Sequence, residues 1–192
     1  MTCAPKETAR PVVFEMLEPR VLLSATPTGE ISRDYWTGIA GNYVSTLTND
    51  AAYPDNPTGS DTLSTFESVD WNNPAINKDF ADNYSERIRG YLVPVTTGDY
   101  TFWISGDNES QLWLSSDQGP ANRVLIASTP IYTGQYEWDK APSQQSTVIA
   151  LVAGQKYFIE VLHAEGGSND HLAVGWLKPG EVGTAPSEII PG

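Results

Sequence analysis

Two short stretches of the chain concentrate oxygen-bearing side chains. One is Asp107-Asn108-Glu109, inside Gly106 to Ser110; the other runs from Glu165 to Asp170 and carries Glu165, Asn169 and Asp170. Carboxylates, amides and backbone carbonyls drawn from irregular loops are what calcium takes, gathering about six to eight oxygens. Neither loop follows the EF-hand spacing, and acidic residues also serve plain turn chemistry. By residue type alone the loops read either way. His163, Glu165 and His171 resemble a zinc set, but the helical HExxH spacing is absent and the single cysteine is Cys3, whereas structural zinc usually draws on cysteines. His163, at a strand end, is expected to be packed or hydrogen-bonded. No GxSxG nucleophile elbow is present, and candidate carboxylate pairs for hydrolysis arise only because the chain is acidic. The chain is therefore read as non-catalytic. Among six tryptophans, Trp103, Trp113 and Trp176 fall in alternating stretches and read as packing. Trp138, beside Tyr136 in a polar segment, reads as a platform for a sugar ring or as a cap on the fold.

The loops need a frame, and the flanking residues supply one. In Tyr100 to Ser116, Tyr100, Phe102 and Ile104 alternate with Thr101, Trp103 and Ser105; after the acidic turn, Leu112 and Leu114 alternate with Gln111, Trp113 and Ser115. A period of two predicts half-buried strands, here a hairpin carrying the first loop. Further strands are expected within Ile31 to Asn49, followed there by a turn and a short amphipathic segment, and over Thr65 to Trp71 and Ser85 to Val95. Val124 to Ser128, Thr147 to Val152, Lys156 to His163 and His171 to Leu177 complete the set. Ala51 to Thr62, with Pro54, Pro57 and Gly59, reads as a loop, and 130–146 as a long polar excursion. Some eight short strands without a long helical period predict an all-β antiparallel sandwich or jelly-roll-like barrel. The domain is placed at 30–180, with a Pro/Gly-rich tail or linker at 181–192.

A length of 192 residues suits one domain with a sizeable core. The formal net charge of −13 argues against nucleic acid and against anionic membranes. It is compatible with cations and with neutral sugars. No stretch is long and apolar enough for membrane insertion.

Residues 1–29 differ from the rest: Glu15 and Glu18-Pro19-Arg20 interrupt the apolar run a secretory signal needs, so they read as an unstructured leader. The string FEMLEPRVLLSA resembles the LEPR-XLL sorting segment of exported bacterial proteins, which implies an extracellular or cell-surface location. From Arg33 to Trp176 the strings RDYWTGI, YSERIRGYLVPVTTGDYTFWISGDNESQLWLSSD, YEWDKAPSQQS, AGQKYFIEVLHAEGG and DHLAVGW resemble the protective-antigen fourteen domain. The resemblance implies a β-sandwich acting in carbohydrate binding or adhesion, with a glycan or polysaccharide as partner and other domains of a larger surface protein beside it. In the sugar-binding branch, two adjacent aspartates joined by a cis peptide hold calcium, which meets sugar hydroxyls directly. That pair falls on Asp107 and Asn108, with Asn169 or Asp170 from the second loop. Glu109, Glu165 and Trp138 are then the nearby groups that would meet the sugar. The second acid of the pair is an amide here, and one charge fewer weakens calcium binding. The alternatives are a structural or protein-interaction sandwich without metal, or a targeting module for a downstream hydrolase.

Overall fold

The computed structural model describes residues 30–68 and 80–192. Within them ten strands run β1 Ile31–Thr37, β2 Gly59–Leu63, β3 Tyr84–Leu92, β4 Gly98–Asp107, β5 Ser110–Ser115, β6 Arg123–Thr129, β7 Ile149–Leu151, β8 Tyr157–Glu165, β9 His171–Leu177 and β10 Glu188–Ile189. They form two antiparallel sheets, one in the order β2-β1-β3-β8-β5-β6 and one in the order β10-β9-β4-β7. The core lies between them. Ile31, Ile88, Leu112, Ile159 and Val161 face inward from the six-stranded sheet; Phe102, Ile104, Leu172, Val174 and Trp176 face them from the other. The expected β-sandwich is the fold observed. A five-residue helix, α1 Val44–Thr48, closes a smaller cluster of Trp36, Val44, Leu47 and Leu162 on the outer side of β1 and β8.

The strands flanking the first acidic loop are not a hairpin. β4 pairs with β9 and β7, while β5 pairs with β8 and β6. The chain crosses from one sheet to the other between Asp107 and Ser110. Alternation reveals that two strands exist but carries no information on their partners. The crossing is tight: a Cβ on Gly106 would run into the Ser110 hydroxyl, so only glycine fits there.

Three other expectations need correction. Within the expected loop 51–62, residues from Gly59 onward pair with β1 as an edge strand whose polar side chains bury no face, which hides it from a hydrophobic pattern. In the expected strand from Thr65 to Trp71, Thr65 and Glu67 make single bridges to Pro191 and Ala173; positions 69–71 lie outside the described residues, as does the leader. Residues 181–192 dock rather than trail: β10 pairs with β9 and Ile190 is buried in the core, its amide bonded to the Val174 carbonyl. The polar excursion 130–146 also has a structural task. It satisfies the edge of β4 beyond β7 through Thr133 N to Gly106 O (2.9 Å), Gln144 Nε2 to Ile104 O (3.0 Å) and Ser146 N to Phe102 O (2.9 Å). Unpaired backbone groups buried there would each cost on the order of 1–3 kcal/mol.

Candidate functional site

The crossing between sheets places the first acidic loop against the end of β8, where the second loop begins. The Asn108 amide donates to Ala164 O (3.0 Å), and the Ala164 amide to Glu109 O (3.0 Å). The Asp107–Asn108 peptide is cis. Asn108 Nδ2 donates to Asp107 Oδ1 (2.7 Å), and Asn108 Oδ1 accepts the Gly166 amide (3.0 Å). That last bond joins the two loops. A third segment closes on them: a Cβ on Gly166 would collide with the Asn42 side chain, and Glu109 N donates to Asn42 O (3.3 Å).

The candidate residues divide by exposure and by what their oxygens already do. Asp107, Asn108 and Glu109 are half-buried and Asn169 is exposed, whereas Glu165 and Asp170 are fully buried. Both Glu109 oxygens are engaged, by the Val44 amide (2.9 Å) and by Gln111 Nε2 (3.0 Å), so it holds the start of α1 to the crossing. Asp170 receives the Phe80 amide (3.1 and 3.4 Å) with the Tyr84 hydroxyl beside it, which anchors the second loop. Glu165 Oε1 accepts the Gly167 amide, while its Oε2 is buried without a hydrogen-bond partner. Trp138 is half-buried and stacked on Tyr136, centroids 6.0 Å apart. Its loop flanks the acidic end, since Lys140 acts on the Asp107 charge and Glu137 on His171.

Electrostatically the end of the sandwich is short of positive charge. Burial raises Asp107, against the pull of His163 and Lys140. Glu165 is pushed up to about 7, first by burial and then by the charges of Asp107 and Asp170. Asp170 is pushed up to about 6, again by burial first. Beneath them lies a chain of charges, buried apart from the exposed Asp61, that residue spacing did not single out. Arg33 forks onto Asp61 (2.5 and 2.8 Å) and reaches Glu86 Oε2 (3.4 Å); Glu86 Oε1 bonds His163 Nδ1 (3.1 Å); His163 Nε2 bonds Asp107 O (2.9 Å). A ring between a carboxylate and a carbonyl must donate from both nitrogens, so His163 is an imidazolium. Burial opposes that charge, but Glu86 and the Asp107 carbonyl outweigh it and raise its pKa. Glu86 is correspondingly held low against its own burial by His163 and Arg33. A signal for Glu86 was available, because it shares the inward phase of Ile88 on β3 and is an acid where an apolar residue is expected. The expectation that His163 is hydrogen-bonded matches its two bonds. His171 meets the Thr133 hydroxyl (3.5 Å) and is pulled down to about 4, chiefly by burial. Among the described residues no three His, Cys, Asp or Glu side chains form a metal-holding group, and no helix is long and apolar enough to cross a membrane.

A family model for the PA14 domain matches residues 39–189. The chain belongs to the PA14 domain family. That match extends past the expected boundary at 180 and takes in β10. Among curated relatives, mouse N-acetyl-beta-glucosaminyl-glycoprotein 4-beta-N-acetylgalactosaminyltransferase 1 is 36% identical over 99 residues, which is 49% of this chain and 10% of that enzyme. Dog fibrocystin is 27% identical over 114 residues, 53% of this chain and 3% of that protein. The PA14 domain here thus spans a tenth or less of these relatives. Among solved structures, the PA14 sugar-binding domain of an RTX adhesin superposes with a TM-score of 0.56 at 13% identity, covering 84% of this chain and 94% of that one. At such identity the likeness is one of fold.

Proposed function

We propose that this PA14 domain is a non-catalytic carbohydrate-binding or adhesion module of an exported or cell-surface protein, binding a glycan or polysaccharide where the two acidic loops meet. The observation that carries the proposal is the bond from the Gly166 amide to Asn108 Oδ1, which brings two sequence-distant loops into one polar end of the sandwich. Family membership and the sugar-binding role named for the RTX adhesin domain support it.

Calcium suits the donor set. The accessible groups are all oxygen ligands: the Asp107 carboxylate, the Asn108 amide oxygen with one lone pair beyond its bond to Gly166, and Asn169 on the exposed loop. Two of the three are amides. Glu165 and Asp170 stand behind them as buried acids, and Glu165 Oε2 has no hydrogen-bond partner. A bound calcium ion would supply open positions for sugar hydroxyls. With a single carboxylate at its surface the site binds the ion weakly, and avidity in a larger protein compensates.

The test is thermal melting of the full chain with and without millimolar Ca²⁺, followed by a glycan screen in Ca²⁺ or chelator. A ligand specific to the native state adds about 2.7 kcal/mol at a hundredfold excess over its Kd. The expected result is a rise in midpoint that Asp107→Ala abolishes, with chelator-sensitive glycan retention. No shift and no glycan retained would overturn the proposal. The metal-free structural reading would then stand, favoured by an Asn108 side chain already bonded at both ends.

A further inference from the structure

The bridge from Glu86 through His163 to the Asp107 carbonyl does more than fill space. His163 lies on β8, opposite Glu86 on β3 and Ser110 on β5, so three adjacent strands of the six-stranded sheet hold one row. Its ring is fully buried, with Tyr84 edge-on at 6.0 Å. Asp107, by contrast, is the last residue of β4 in the opposite sheet, registered with His171 of β9. The His163 Nε2 bond therefore spans the two layers at the point where the chain leaves one for the other. Glu86 cannot swing away freely, because Arg33 holds its second oxygen and Asp61 holds Arg33. An apolar residue would pack in such a core at less cost than a buried ionic chain. What a polar ring adds is direction.

We infer that His163 is the positioning residue of the Asp107–Asn108 turn, fixing the Asp107 carbonyl so that Asn108 Oδ1 meets the Gly166 amide and the two acidic loops close into one site. What that site binds rests on the function proposed above; the closure of the loops does not.

Amide hydrogen exchange of the full chain tests the inference without any ligand. The amides to compare are Gly166 and Asn108, which report loop closure, and the buried Val174, whose amide donates to Phe66 O (2.9 Å) and reports the core. In His163→Leu both donors are lost, and exchange at Gly166 and Asn108 is expected to rise at least about tenfold more than at Val174. His163→Gln, whose amide can still donate towards the Asp107 carbonyl, should return the ratio to within about threefold of wild type even though its stability falls. Equal acceleration at all three amides, or no rescue by glutamine, would make His163 a packing residue and overturn the inference. Should His163→Leu fail to fold, the unmodified chain decides the matter. A slowly exchanging His163 Nε2 proton showing coupling to the Asp107 carbonyl carbon supports the bridge, and its absence refutes it. Calcium titration of the same variants then separates the two claims. Wild type that binds neither Ca²⁺ nor glycan fails the functional proposal, while the exchange ratios still judge the positioning.

Discussion

Glu165 reports most directly on the charge balance at the loop end. Its folded pKa of about 7 and that of Asp170, about 6, both lie above the ordinary 4.5 and 3.8. Between those limits the native chain holds more protons than the unfolded one. These groups therefore favour the fold most at low pH, and that contribution is lost as pH rises through about 7. The raised His163 adds in the same direction at higher pH, whereas the depressed Glu86 contributes stability that is lost only in acid. Urea-unfolding stability is expected to fall from pH 5 to pH 8 by on the order of 2 kcal/mol from Glu165. Glu165→Gln keeps the acceptor for Gly167 and should remove most of that slope. A slope unchanged in the variant would show that the Glu165 carboxyl titrates as in the unfolded chain.

The acidic loops are held by elements on either side of them, and two substitutions test this. Glu109 ties β5 to the first residue of α1. Replacing it with alanine frees the buried Val44 amide and should cost about 1–2 kcal/mol, with faster exchange at Val44. Glu109→Gln, which retains an acceptor, should recover much of the loss. Gly166 is the point of closest approach between the second loop and Asn42, and its ideal Cβ would also lie 3.5 Å from Asn108 Oδ1. Gly166→Ala should push the loops apart at little cost in overall stability, since the residue is half-exposed. Its calcium-dependent rise in melting temperature should shrink or vanish; a full-sized rise would mean that the ion sits elsewhere.

At the scale of the molecule, the sandwich is sealed by its own C-terminal residues. Ile190 is 2% exposed and Val182 98%. Phe66 donates its amide to Ile190 O (2.8 Å), and Gly192 its amide to Ser64 O (2.9 Å), so the segment bridges β9 to the chain after β2. Ile190→Ala should cost about 2–4 kcal/mol in urea unfolding, while Val182→Ala should lie within about 0.5 kcal/mol of wild type. Equal effects would mean that the segment does not pack as described.

The sequence by itself determined the fold class and the residues that carry the polar loops. Alternation in Tyr100 to Ile104 and in Leu112 to Leu114 marks strands because a two-residue period is a local property of extended backbone. Asp107, Asn108 and Gly166 were legible as turn chemistry for the same reason, and the matching strings placed them within a known family. The polar edge strand β2 and the docked segment 181–192 were not legible: one buries no side-chain face, and the other buries chiefly Ile190. Only the tertiary structure decided that β4 and β5 belong to different sheets. It also decided that Glu109 spends its oxygens on the Val44 amide and the Gln111 side chain and Asp170 on the Phe80 amide, and that Glu86 and His163, 77 residues apart, carry the Asp107 carbonyl between them. Pairing partners and buried charge chains depend on which strands meet in space, and no local period encodes that.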